Sequence, residues 1–260
     1  MIGTVLAGCC LLFFLAIPFM SGFLGRFVPH SVQDKIGKKV IEATRDDAQW
    51  CTAPKGLAAL DSLVDKLAAQ TDHDAPFRVY VVDGDVLNAF AAPGGHVVIY
   101  REIIDRARDP QELAGVLAHE MAHEVEGHPA SGLVETLGYG IFSLLTPGGG
   151  EIGSDVAAGI VTSKFSRDDE LEADAAGIAL LNAAGIDSRG LARFFDTMAE
   201  AGNEIPGALE FLSTHPTGEH RQAQIANLHK AGAPALGADE WQALRSVCSV
   251  KSTTAAPVGT

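Results

Sequence analysis

The chain has 260 residues, with 19 Lys and Arg against 33 Asp and Glu, and so a net charge of −14. That balance argues against a nucleic-acid binder, which holds phosphates with Lys and Arg, and against a protein that coats anionic lipid by charge alone. A hydrophobic fraction of 47% excludes wholesale disorder, and four scattered cysteines are too few for a disulfide mini-scaffold.

Residues 1–25 carry no charged side chain, and Val5 to Ile17 is almost purely apolar. Roughly 20 apolar residues cross a bilayer as a helix. A cleaved signal peptide would want a basic residue before the apolar run. None is present, so 1–25 reads as one retained membrane-anchor helix. Leu6-Ala7-Gly8-Cys9 also fits a lipoprotein cleavage box with lipidation at Cys9, and a cleaved signal is a third alternative. A juxtamembrane segment, 26–50, carries Arg26, Lys35, Lys38 and Lys39. By the positive-inside rule those charges favour a cytoplasmic domain. Cys51 and Cys248 bracket the remainder of the chain. Joined, they would staple its ends in an oxidising compartment; unjoined, they are two unrelated buried thiols. The adopted reading is a single-pass protein of a bacterial cell membrane with its domain in the periplasm. The alternatives are an outer-membrane lipoprotein and a cytoplasm-facing domain.

Residues 51–250 read as one domain, since no linker and no repeat interrupts them. Leu57, Leu60, Leu63, Val64 and Leu67 recur at helical spacing and predict a helix over 55–70. Strands are predicted at 77–82, 86–91 and 96–100, separated by Asp83-Gly84-Asp85 and Pro93-Gly94-Gly95, as a small antiparallel meander. Asp109-Pro110-Gln111-Glu112 predicts a helix start, with Asp as N-cap, Pro in the first turn and Glu at N3. That helix should run to about Gly127. A second apolar helix covers roughly 131–145, and Pro147-Gly148-Gly149-Gly150 reads as a mobile loop. Further helices are expected near 154–165, 167–184, 188–201, 218–231 and 238–248, with Gly185 as a stop. Residues 251–260 read as a disordered tail. The fold class is therefore α+β: a mainly helical domain with a small antiparallel sheet, preceded by one anchor helix.

The chemistry is concentrated in two helices. His119-Glu120-Met121-Ala122-His123 is an H-E-x-x-H motif. At about 100° per residue the two imidazoles lie about 40° apart, one turn from each other, and can bind one zinc ion. Glu120 flanks the metal without binding it, where a base for the attacking water must stand. His128 falls about 180° from His119 on this projection and reads as a surface or packing histidine. A third ligand is sought on the helix beginning at Ser166-Arg167-Asp168-Asp169-Glu170. Glu170 and Asp174 share a face with Ile178 and Leu181, while Glu172 points about 200° away into solvent. Glu170 is assigned to zinc, and Asp174 to holding a ligand histidine through its other ring nitrogen.

These residues resemble the membrane-associated zinc metalloproteases of the HtpX-like and BepA-like group, peptidase family M48. The likeness rests on Asn88-Ala89-Phe90 with Pro93-Gly94-Gly95, on Leu117 to His123, on Ser166-Arg167 with Glu170 and Ala173-Asp174, and on Ser213-Thr214-His215-Pro216 with Arg221. It covers about 50 to 248. It implies a gluzincin-type zincin fold and an endopeptidase with one zinc on His119, His123 and Glu170. It also implies membrane attachment and clearance of damaged or misassembled envelope proteins. From the same resemblance, His215 would reach the zinc, donating to the oxyanion or occupying the open site at rest, and Arg221 would position it or bind substrate carbonyls. Read without the resemblance, Thr214-His215-Pro216 is an exposed turn. Substrate would lie along Asn88-Ala89-Phe90 by strand addition, which reads backbone and suits unfolded or misassembled chains. A second class stays open: an anchored chaperone or assembly factor that rarely cuts, with a structural zinc. A prenyl-protein protease would need a multi-helix membrane chamber.

Overall fold

The computed structural model describes residues 16–17, 20–44, 49–73, 75–144, 165–201, 207–216, 219–255 and 257–259. Most of the expected anchor, the loop at 147–150 and nearly all of the helix expected near 154–165 lie outside these residues. Among the described residues no helix is long and apolar enough to cross a membrane.

In chain order the elements are α1 (His30–Ala43), β1 (Gln49–Cys51), α2 (Pro54–Ala68), β2 (Arg78–Asp83), β3 (Ala89–Ala92), β4 (His96–Tyr100), α3 (Arg101–Arg106), α4 (Pro110–Val125) and α5 (His128–Leu144). They continue with α6 (Arg167–Ala183), α7 (Gly190–Ala201), α8 (Ala208–Thr214), α9 (Glu219–Leu228), α10 (Ala238–Arg245), a 3-10 turn (Val247–Ser249) and β5 (Lys251–Ser252). The mainly helical character agrees with the sequence reading.

The sheet departs from the expected meander. Five strands run in the order β3-β4-β2-β1-β5, and β4 inserts between β2 and β3, parallel to β2. The connections permit this order. β2 and β3 are joined by 84–88, too long for a tight hairpin and long enough to carry the chain past one strand spacing of about 4.8 Å. The tight turn is instead Pro93-Gly94-Gly95, which pairs Ala92 with His96 across β3 and β4. β1 comes from the end of the juxtamembrane segment. β5 comes from the expected tail, whose described residues pair with the sheet where disorder was expected. Trp50 and Cys51 pair with Ser252 and Lys251, Val79 and Val258 exchange backbone bonds of 2.8 and 2.9 Å, and Gly259 N–H donates to Asp61 Oδ1. These backbone groups need partners, and the tail supplies them.

Alternation along the strands divides the core in two. Val79, Val81, Ala89, Val97 and Ile99 face the main helical core with α2 and α4. Tyr80, Val82, Phe90, Ala92 and Val98 face a smaller core closed by Val40 and Ile41 of α1 and Leu133 of α5. On that second face His96 is fully buried. Its Nε2 lies 3.2 Å from Asp34 Oδ1 and its Nδ1 3.0 Å from the Tyr80 hydroxyl, which ties α1 to the sheet. Burial lowers the His96 pKa, the Asp34 bond opposes that, and Arg78 adds to the lowering, with a smaller contribution from Lys38. Unfolded, the ring takes a proton near pH 6.5; folded, it does not until lower pH. Stability should therefore fall as pH drops below about 6.5, at up to about 1.4 kcal/mol per pH unit. Urea midpoints between pH 7.5 and 5.5 should fall more steeply in the native chain than in His96→Asn. Asp34, whose pKa is lowered chiefly by Lys38, contributes its own loss only below the usual carboxylate range.

Candidate metal centre

α4 is built to be buried. Asp109 caps it by accepting from Glu112 N–H at 3.0 Å, and Pro110 occupies its first turn. From Glu112 to Glu124 every residue is buried, so no solvent face remains. Ionisable side chains on such a helix need partners. α6 supplies them. Its Ser166–Asp169 capping box, with bonds of 3.1 and 2.9 Å, fixes the first turn. Gly177 lets α6 approach α4 closely: a Cβ there would stand 3.0 Å from Ala118 O. Glu170 and Asp174 then face α4 with no solvent exposure.

Four side chains converge. His119 Nε2 lies 3.1 Å from His123 Nε2, 3.3 Å from His215 Nδ1 and 3.5 Å from Glu170 Oε2. Glu170 Oε1 lies 3.5 Å from His123 Nε2 and 3.4 Å from His215 Nδ1. A tetrahedral zinc with N and O ligands at about 2.0–2.1 Å has ligand atoms about 3.3 Å apart. The observed separations are close to that value, and one ligand atom from each of the four residues lies within 4.8 Å of the others. Neither Glu170 oxygen makes a well-angled hydrogen bond among the described residues; Oε2 has the Arg221 guanidinium at 2.7 Å, and an ion between the four would satisfy Oε1. The charges agree. Burial opposes a charged His119, but Asp174 and Glu170 outweigh it and raise the pKa to about 10. The pocket thus favours a cation. At His123 burial prevails and lowers the pKa, which favours the neutral ring; a metal would have to displace the Nε2 proton of His119. Burial also opposes the Glu170 carboxylate, but the surrounding histidines more than offset it and hold it ionised.

Glu120 stands beside the cluster rather than in it. Its Oε1 lies 3.6 Å from His215 Nε2. Burial raises its pKa, with His215 and His119 opposing. The Ala91 backbone N–H faces it without meeting hydrogen-bond geometry. Asp174 Oδ1 faces His119 Nδ1 at 3.1 Å. Arg221 grips Asp174 with two bonds of 2.6 and 2.7 Å, pairs with Glu170 Oε2 at 2.7 Å and lies over the Phe195 ring at 4.7 Å. Burial works against the Asp174 carboxylate, yet Arg221 and His119 keep its pKa low. Lysine cannot reproduce this planar fork. Arg221→Lys should therefore leave a buried carboxylate half-paired and cost roughly 3 kcal/mol in urea unfolding.

His215 is buried at the C-terminal cap of α8, not exposed in a turn. Asn88, Ala89 and Phe90 lie at the β3 edge of the sheet. Asn88 Oδ1 accepts the Ala89 N–H, and Phe90 packs in the second core, so neither side chain faces the four-residue cluster. Tyr100 N–H bonds Asn88 O, so by alternation Phe90 turns its backbone groups to β4 while Ala89 and Ala91 turn theirs to the outer edge of the sheet.

Glu124 carries no sequence signal, and His128 lies elsewhere than its helical projection puts it. Glu124 Oε1 accepts from both Gly94 and Gly95 N–H at 2.8 Å, pinning the β3–β4 turn to α4. Burial raises its pKa to about 7 against those two bonds. His128, expected on the far side of the helix, is buried with its Nδ1 2.9 Å from His123 Nδ1. The 100° projection fails because α4 ends before it: Gly127 adopts φ 78° and α5 starts afresh at His128. Glu172 keeps a side chain 65% exposed, as expected, yet reaches His128 Nε2.

A family profile described as peptidase family M48 matches residues 54–229. The mitochondrial metalloendopeptidase OMA1 of Arabidopsis thaliana is 31% identical over 168 residues, 62% of this chain and 34% of that protein. The β-barrel assembly-enhancing protease of Yersinia pestis is 29% identical over 185 residues, 65% of this chain and 38% of the relative. That of Escherichia coli K12 is 25% identical over 228 residues, 81% and 46% respectively. The chain spans about a third to a half of the length of the curated relatives it matches.

Proposed function

The chain belongs to peptidase family M48, and from that premise we propose that it is a membrane-anchored zinc metalloendopeptidase that hydrolyses misfolded or misassembled envelope proteins. The observation that carries this reading is the convergence of His119, His123, Glu170 and His215, with ligand atoms within 4.8 Å of one another, and the buried Glu120 carboxylate alongside. His119, His123 and Glu170 would hold one zinc. When bound, zinc polarises a scissile carbonyl and makes water nucleophilic near neutral pH. Glu120 takes the proton of the attacking water on a carboxylate oxygen and passes it to the leaving amine nitrogen. Its burial-raised pKa suits both halves of that transfer. Asp174, locked by Arg221, keeps the His119 ring in place.

At rest His215 completes a set of four. A catalytic site needs one open position, so His119, His123 and Glu170 would hold the metal while His215, beside the fourth position, would be placed to donate to the oxyanion. Substrate adds as a strand to the outer edge of β3, where the carbonyls of Ala89 and Ala91 face outward. Little side-chain reading is needed, which fits unfolded chains.

Membrane attachment is supported by the uncharged run 1–25 and by Met20, Phe23, Leu24 and Phe27. These four recur at helical spacing and are exposed, an apolar stripe continuous with that run. The bond between Cys51 and Cys248 supports the periplasm over the cytoplasm.

The completed set of four also favours a second reading, a structural zinc in an anchored assembly factor, because structural sites are closed. Casein separates the two. The purified chain should cleave it, lose activity to a chelator and regain it with one equivalent of zinc. A zinc-loaded chain that binds casein without ever cutting it would establish the second reading.

A further inference from the structure

The two imidazoles of α4 are steadied from outside by different means. His119 turns its Nδ1 to Asp174. His123 turns its Nδ1 to His128 Nδ1 at 2.9 Å, and His128 Nε2 reaches Glu172 Oε2 at 3.4 Å and Asp169 Oδ1 at 3.6 Å. His128 is 6% exposed, with its Nδ1 shut in against His123. A neutral imidazole has one N–H and one lone pair. If His123 Nε2 gives its lone pair to a metal, its N–H is at Nδ1 and donates to His128 Nδ1. His128 then carries its own N–H at Nε2, aimed at the two carboxylates. Each nitrogen has a single consistent role, and both tautomers are fixed by the chain of contacts. Phe165 stacks on His123 at 4.0 Å and restricts the tilt of its ring.

Resting on the metal reading above, we propose that His128 is a positioning residue that couples His123 to the carboxylates of Glu172 and Asp169, orienting the ring and strengthening it as a metal ligand. α6 then steadies both imidazoles of α4, through Asp174 directly and through Glu172 and Asp169 by way of His128. Partners of metal-bound histidines typically change metal affinity by about 10–100-fold. The carboxylate end opens on a cavity of about 670 Å³ that Arg26 and Glu135 also line. Water competes there, so Glu172 alone should matter less than His128.

The test is zinc affinity of the full chain, by competition with a chromophoric chelator, together with the visible spectrum of the cobalt(II) form. His128→Phe keeps the ring and removes both nitrogens; it should bind zinc about 10–100-fold more weakly and shift the cobalt bands. His128→Asn keeps an acceptor near the Nδ1 position and should recover most of the affinity. Nitrogen-15 histidine spectra of the zinc-loaded native chain should show His123 protonated at Nδ1 and His128 at Nε2, a readout that needs no variant to fold. Native-like zinc affinity in His128→Phe, or a His128 protonated at Nδ1, overturns the proposal. A native chain that takes up no zinc overturns the metal reading and this one together.

Discussion

Glu120→Gln should lose casein cleavage by about 10²–10⁴-fold while keeping one zinc per chain. The amide matches the carboxylate in shape but cannot hold a transferred proton. The four converging atoms belong to His119, His123, Glu170 and His215, so the substitution leaves the metal-binding set intact. Glu120 is fully buried, and its oxygens make no well-angled hydrogen bond among the described residues. Nothing structural should be lost with its charge. The measurement is paired: turnover by fluorescent casein, zinc by atomic emission, fold by circular dichroism. A variant that holds zinc and cleaves at the native rate would remove Glu120 from the base role.

The site was more legible than the sheet, for a physical reason. His119 and His123, and Glu170 and Asp174, are i, i+4 pairs on single helices, where the spacing alone fixes the shared face. The apolar residues beside Glu170 told which face was inside. His128 was misplaced because the projection was carried across Gly127, whose positive φ ends the helix; the glycine itself was the available signal. Glu124 left no trace, since its partners are backbone N–H groups of a distant turn. His215 and Arg221 were within reach only through a family resemblance, because nothing local says that the end of α8 folds back over α4. The strand positions were readable from alternation, but their order was not. Whether β4 lies outside β3 or between β3 and β2 depends on packing partners far along the chain. β5 was missed because Lys251 and Ser252 have no apolar pattern and pair at the sheet edge through backbone alone.

Breaking the Cys51–Cys248 bond should lower the thermal midpoint by about 10 °C. The cysteines are 197 residues apart in sequence. In the chain-entropy account a loop of that length restricts the unfolded state by about 5 kcal/mol, and removal of native bridges typically costs about 2–5 kcal/mol. For a chain of this size each kcal/mol moves the midpoint by roughly 2–4 °C. The bond also joins β1 to the 3-10 turn, next to β5 and below the packing of α10 on α2. Its loss should therefore fray the C-terminal end first. The metal centre lies on α4, on α6 and at the C-cap of α8, which among the described residues pack chiefly on one another, α7, α9 and β3, so turnover at low temperature should survive. Cys51→Ser with Cys248→Ser should melt lower than the native chain and be indifferent to dithiothreitol, whereas the native chain should fall to the same midpoint when reduced. Equal midpoints for native and doubly substituted chains under oxidising conditions would mean that the bridge contributes nothing in solution, and the compartment argument built on it would go too.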